Sequence, residues 1–206
     1  AEGFAEQLCV TPEEEVSYKS VNTDMALSAA GLFSLDDKEV LYGRNIYKKI
    51  YPASTTKILT CLVAIEQGNL SDMVTVSEHA ADQTPDSSVA GLAAGDVMTL
   101  KDLLYGLMLR SGNDAAIAIA EHIGGSEEGF AELMNAKAKS LGATQSHFIT
   151  PHGLHQDDHY TTIYDMYLIF QAAIQNETFL EVISSASYDV SYTGASGEAK
   201  SQTWVS

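Results

Sequence analysis

The chain has 206 residues, 28 acidic against 11 basic, and a formal net charge of −17. That length supports one large domain or two small lobes around a real core. No Lys/Arg cluster interrupts the acidic balance, which argues against nucleic-acid binding, and no apolar run approaches the ~20 residues that span a membrane.

An anionic substrate would be repelled at long range and would need local positive charge at its site. The two cysteines, Cys9 and Cys61, neither require nor exclude an oxidising compartment. The chain opens on Ala1 without an initiator Met or a charged-then-apolar leader, which fits a mature or an expression terminus.

Ala1–Asp24 is acidic and aperiodic and reads as a loosely held arm. Met25–Leu35 and Glu39–Tyr42, separated by Asp36-Asp37, read as a β-hairpin within residues 25–50. Arg44–Tyr51 then leads into Pro52-Ala53-Ser54-Thr55-Thr56-Lys57. After it Ile58, Cys61, Leu62 and Ile65 recur at helical spacing and Gly68-Asn69 closes the run, so a buried helix begins at Ser54. Ser54, Lys57 and Cys61 then share one stripe.

The plain account of a Ser-Thr run before a helix is an N-cap. A capping box, however, wants Glu or Gln three residues on, and Lys57 stands there. A lysine in the first turn faces the like-signed end of the helix dipole, at a cost of roughly 0.3–1 kcal/mol, and that field together with burial lowers its pKa. A neutral amine beside a hydroxyl is a general base beside a nucleophile. Cys61, one turn further on, reads as a small hydrophobe that helps keep the lysine dry.

Leu70–Val76 reads as extended, and His79–Asp96 as a long loop of the kind that often carries function. A helix starts at Thr99 or Leu100, with Leu100, Leu103, Leu104, Leu107 and Met108 on its apolar face. Arg110-Ser111-Gly112-Asn113-Asp114 breaks it, and Ala115–Ile123 follows as a helix apolar all round, hence fully buried. Gly112 as a C-terminal cap and Asp114 as the next N-cap explain that break structurally. Beside the Ser54 helix start, the same break also supplies a second hydroxyl and an amide on a rigid corner.

Ser126 caps a further helix that buries Phe130, Leu133 and Met134 and ends at Gly142. The loop His147–His159 holds His147, His152, His155 and His159, whose spacing matches no standard zinc pattern, and no metal is assigned. Thr162 and Asp165 match a capping box opening a helix to Gln175. Thr178–Ser184 is a short helix, Tyr188, Val190 and Tyr192 alternate as in a strand, and Gln202–Val205 begins another.

Several of these stretches together resemble the D-alanyl-D-alanine carboxypeptidases, the low-molecular-mass penicillin-binding proteins of bacterial cell walls. They are Pro52–Lys57, Asp102–Ala115 with its Ser111-Gly112-Asn113, Asn135–Leu154 ending Pro151-His152-Gly153-Leu154, and Tyr160-Thr161-Thr162. The similarity runs from about Met25 to about Gln175. It implies an α+β fold of the β-lactamase and penicillin-binding-protein (transpeptidase-like) type, a sheet flanked by helices plus a helical lobe. It also implies a serine DD-carboxypeptidase that removes the terminal D-Ala from peptidoglycan stem peptides through an acyl-enzyme and is inhibited by β-lactams. By resemblance Ser54 is the nucleophile, Lys57 its base, Ser111 the proton relay to the leaving group, and Asn113, with His152, a substrate-binding residue. No cofactor is implied. The setting is the outer side of the cytoplasmic membrane, with membrane contact only through a segment absent from these residues.

One departure bears on mechanism. The family carries a third motif, Lys-Thr-Gly, on a strand that binds the substrate carboxylate and gives a second oxyanion donor. The sequence contains no Lys-Thr-Gly; Tyr192-Thr193-Gly194 lacks the lysine and falls early. The expectation is therefore one truncated domain over 1–206: a sheet hairpin at 25–50, a helical part at 54–184, and the start of the C-terminal strands at 186–206. An unpaired sheet edge should follow. Losing one oxyanion donor typically costs ~10²–10³ in rate. Two alternatives stay open. A class A β-lactamase needs a deacylating acid and usually Ser-Asp-Asn, and no convincing loop glutamate is seen. A non-catalytic relative would bind wall peptide or β-lactam without turnover.

Overall fold

In the computed structural model the described residues are 5–17 and 27–206. Strands β1 (Ala30–Ser34) and β2 (Glu39–Arg44) form an antiparallel hairpin with a register shift between Leu32 and Phe33. Met25 and Ala26, at the start of the expected hairpin, lie outside the described residues. A single 3₁₀ turn, Ala53–Thr55, leads into helix α1 (Thr56–Gln67). Ser54 thus sits in the tight turn before the helix rather than in its first residue.

Strand β3 (Met73–Thr75) and the short helix α2 (Glu78–Ala81) come next. The stretch read as loop from His79 therefore begins as helix, because Ser77 accepts the Ala80 N–H and caps it. Strand β4 (Val97–Thr99) runs directly into α3 (Leu100–Leu109), where Thr99 and Asp102 make both halves of a capping box. Then come α4 (Asn113–Gly124), α5 (Glu127–Ser140), α6 (Ile163–Ala173) and α7 (Glu177–Ile183), and last strands β5 (Ser187–Thr193) and β6 (Ala199–Val205). Strands β3, β4, β5 and β6 form one antiparallel sheet in that order, separate from the hairpin.

Helix α1 lies at the centre, packed against α3, α4, α5, α6 and α7. Its Leu59 and Leu62 join Leu103, Leu107, Ile119 and Phe130 in the buried core. Trp204 of β6 is buried as well and donates its indole N–H to the Ala90 carbonyl at 2.9 Å, fastening the small sheet to the loop before β4.

The arm is the clearest correction. Residues 1–4 and 18–24 lie outside the described residues, but 5–17 are held to the body. Cys9 is fully buried; its N–H donates to the Tyr167 hydroxyl and its carbonyl accepts from the Tyr164 hydroxyl, each at 2.8 Å. Val16 exchanges backbone hydrogen bonds with Gly43 of β2. Composition hid this because one buried residue anchors a segment whose other residues are mostly polar.

Among the described residues β1 pairs on one side only. Beside it lies a largely apolar groove of about 720 Å³, lined by residues such as Leu32, Leu35, Ile58 and Phe170.

Candidate active site

The candidate pair Ser54 and Lys57 is built where the 3₁₀ turn meets α1. Lys57, in the first turn of the helix, is 2% exposed, and its Nζ stands 3.2 Å from Ser54 Oγ. The same amine donates to the His152 carbonyl at 2.9 Å. Burial pulls the Lys57 pKa down from 10.5 to about 8, against an opposing pull from the Asp114 carboxylate. Cys61, a turn later, is fully buried, and burial pushes its thiol far up, so it stays a neutral hydrophobe.

Helix α1 grips the His-rich loop through three consecutive contacts along one face. Thr56 Oγ1 meets His159 Nε2 at 2.9 Å, Lys57 meets His152 O, and Thr60 Oγ1 donates to Pro151 O at 2.6 Å. His159 Nδ1 accepts the Ile149 N–H at 2.9 Å, so the ring proton sits on Nε2 and is donated to Thr56. Burial lowers the His159 pKa to about 4, so this ring is a neutral structural link. Gly153 is needed here: at φ +85° its Cα lies against the Ala53 carbonyl, and an added Cβ would also come 2.7 Å from Thr56 Oγ1.

Ser54, Asn113 and His152 line one cleft of about 290 Å³, together with Asp86, Ser88 and His155. Asn113 is buried and its N–H donates to Ser88 O at 2.9 Å, which ties the start of α4 to the far wall. Ser111 is half-buried on the corner two residues upstream, at φ +51°, and its side chain is not among those lining the cleft. Ala53, next to the nucleophile candidate, also holds a positive φ of 49°.

Asp114 does not cap α4. Gly112 occupies the N-cap position, and the Asp114 carboxylate reaches across to the loop before β4. It accepts the N–H groups of Ala90 at 2.8 Å and of Gly91 and Leu92 at 3.0 Å, besides that of Ala115. Asp165 likewise leaves its capping box half made. Thr162 accepts the Asp165 N–H, but the carboxylate turns to Gln145 N–H and Ser146 Oγ. Both acids were read locally because their true partners are about 20 residues away in sequence. Glu127, at the start of α5, reads in the sequence only as a charge that suits the helix dipole; in the fold it also comes within 3.4 Å of His152. Of the other loop histidines, His147 bonds Asp158 and His155 packs edge-on against Tyr51. No group of three His, Cys, Asp or Glu among the described residues is arranged to hold a metal ion.

A sequence profile of the D-alanyl-D-alanine carboxypeptidase family matches residues 16–202. The D-alanyl-D-alanine carboxypeptidase DacF of Bacillus subtilis is 41% identical over 155 residues, covering 73% of this chain and 39% of DacF. The D-alanyl-D-alanine carboxypeptidase DacC of Escherichia coli is 42% identical over 147 residues, covering 67% of this chain and 37% of DacC. The chain thus spans about two fifths of the length of these curated relatives. A solved structure of a Streptomyces DD-transpeptidase variant superposes with a TM-score of 0.84 at 30% identity, over 89% of this chain and 75% of its own. Its α+β architecture, a sheet flanked by helices, is therefore shared. The chain belongs to the D-alanyl-D-alanine carboxypeptidase family.

Proposed function

We propose that this chain carries the acylation centre of a serine DD-carboxypeptidase acting on peptidoglycan stem peptides at the outer face of the cytoplasmic membrane. The observation that carries the reading is a buried amine, with its pKa lowered to about 8, held 3.2 Å from an exposed serine hydroxyl at the mouth of a cleft. Near neutral pH a useful fraction of Lys57 is uncharged. Its lone pair takes the Ser54 proton as Oγ attacks the carbonyl of the D-Ala-D-Ala bond.

The oxyanion then formed meets the Ser54 N–H, a donor left free at the N-terminal end of the 3₁₀ turn. The proton passes from the Lys57 ammonium to the departing D-Ala amine; Ser111, the relay expected by resemblance, would have to turn its hydroxyl into the cleft to share in this step. Water then cleaves the ester and restores Ser54. Asn113 positions the substrate amide. β-Lactams acylate the same serine by opening the strained amide ring, so no leaving group departs.

The test is a covalent one. The protein is incubated with benzylpenicillin and followed by intact mass, and D-Ala release from a pentapeptide ending in D-Ala-D-Ala is measured in parallel. One adduct mapping to Ser54, absent from Ser54→Ala, is expected. No adduct, or an adduct that survives Ser54→Ala, overturns the reading.

A further inference from the structure

One carboxylate just behind the cleft wall has no part in the chemistry above, and it faces the residue that holds the base. Glu127, the first residue of α5, places Oε1 2.8 Å from His79 Nε2 and Oε2 3.4 Å from His152 Nε2. The second is a charge contact and not yet a hydrogen bond, of the kind that tightens when substrate is bound. His152 is 7% exposed, and its Nδ1 accepts the Leu154 N–H at 3.1 Å. One ring nitrogen is therefore an acceptor already in use, so the ring proton lies on Nε2 and points at Glu127.

One ring nitrogen is bonded and the other has the Glu127 carboxylate within 3.4 Å. That removes His152 as a carrier of the reaction's proton and leaves it fixed in one tautomer and one orientation. What the ring holds in place is its own backbone: the His152 carbonyl accepts from Lys57 Nζ at 2.9 Å. A neutral amine has two hydrogens and one lone pair. With one hydrogen committed to His152 O, the lone pair has only two positions left, one of which faces Ser54 Oγ, 3.2 Å away.

We infer that Glu127 is a positioning residue for acylation: through His152 it fixes the carbonyl that orients the Lys57 amine toward Ser54. The inference rests on the serine acyl-transfer reading above. Three observations point the same way. The Glu127 pKa is held down, first by His152 and then by His79, so the carboxylate is ionised and a full acceptor. The carboxylate sits at a helix N-terminus, where the dipole favours negative charge. Gly153, directly after His152, packs against the Ala53 carbonyl, so this loop lies directly on the turn that carries Ser54, and a small tilt of the His152 peptide changes the Lys57–Ser54 geometry.

Groups that orient a metal ligand from the outer shell typically contribute about 10–100-fold, and a group orienting a base through an intermediary should have an effect of that order. Glu127→Ala is therefore expected to slow the limiting acylation rate by benzylpenicillin about 10–100-fold, with the dissociation constant of the initial non-covalent complex unchanged. Glu127→Gln can turn its amide oxygen to the His152 Nε2–H and should restore most of the rate, since the acceptor matters here and not the charge. Glu127→Asp, one methylene short, should fold and behave like Glu127→Ala. His79→Ala should leave the rate alone, because His79 touches only the outer oxygen.

In NMR spectra the His152 Nε2–H resonance should be seen in the wild type and Glu127→Gln and be lost in Glu127→Ala. A wild-type rate in Glu127→Ala and Glu127→Asp overturns the inference, as does a Glu127→Gln variant as slow as Glu127→Ala. Absence of acylation in the wild type would instead sink the acyl-transfer reading. The tautomer of His152 would then decide the Glu127 contact alone, and a proton found on Nδ1 refutes it.

Discussion

Replacing Asp114 by Asn changes one atom and removes one charge, and the structure says what that should cost. Oδ1 accepts the N–H groups of Ala90 and Ala115, and Oδ2 those of Gly91 and Leu92. An amide keeps one of these pairs and turns its NH₂ toward the other, donor against donor. A buried donor left unpaired costs about 1–3 kcal/mol. If the amide takes the Oδ2 side, water reaches the exposed Gly91 but not the buried Leu92, so the net loss should be about 2–3 kcal/mol.

The damage should be local before it is global. Hydrogen exchange at the Ala90, Gly91 and Leu92 amides should accelerate well beyond that of Leu59 and Leu62 in the core. Urea unfolding should show a lower midpoint with the slope unchanged. Asp114 also holds the Lys57 pKa up, so in the variant the amine should titrate below about 8. An unfolding free energy within about 0.5 kcal/mol of the wild type (the usual scatter for surface changes), together with unchanged exchange at residues 90–92, would refute the claim that this carboxylate anchors the cleft wall.

Lys57 loses its proton near pH 8 in the folded state but near 10.5 when unfolded, so between those values the unfolded chain binds more protons and stability rises with pH. That gap corresponds to about 3 kcal/mol, at roughly 1.4 kcal/mol for each tenfold change in proton affinity. Lys57→Met should abolish acylation, remove that rise from the stability curve, and be more stable than the wild type at pH 7; an unchanged slope in chemical denaturation from pH 8 to 10.5 contradicts this. Gly153→Ala forces a Cβ onto the Ala53 carbonyl at a positive φ and should cost more than about 2 kcal/mol; a neutral result in thermal unfolding would show the loop to be loose. Tyr167→Phe takes the acceptor from the buried Cys9 N–H and should cost about 1–3 kcal/mol while exposing residues 5–17 to protease; wild-type resistance would mean the arm is held elsewhere.

The elements were legible where a period or a cap is local. The apolar spacing of Leu100, Leu103, Leu104 and Leu107 gives α3 almost residue by residue, while the Thr99–Asp102 box that fixes its start emerged only in the structure. The pair Ser54 and Lys57 was visible because three residues of near-helical turn bring them together, and a lysine in a capping position contradicts propensity. What stayed hidden was long-range. Asp114 and Asp165 look like caps until the loops they reach are in place, and Glu127 looks like a favourable dipole charge, which it also is. Thr56 and Thr60 passed as ordinary helix residues, although both are buried and both hold the loop that carries His152. No pattern within one helix shows that a hydroxyl on its inward face has a carbonyl or a ring to meet. Cys9 escaped for the opposite reason: one buried residue makes no period.

Ala53 and Ser111 are non-glycine residues in left-handed backbone, and each costs about 1–2 kcal/mol there. Ser111→Gly relieves that strain while deleting the hydroxyl, and Lys57→Met relieves a buried charge while deleting the base. In a lineage released from selection for chemistry, such changes would be accepted freely, because selection for folding alone removes only what destabilises. Decay of this site would therefore run downhill in free energy, and a descendant that has lost the reaction should melt at a higher temperature than its ancestor.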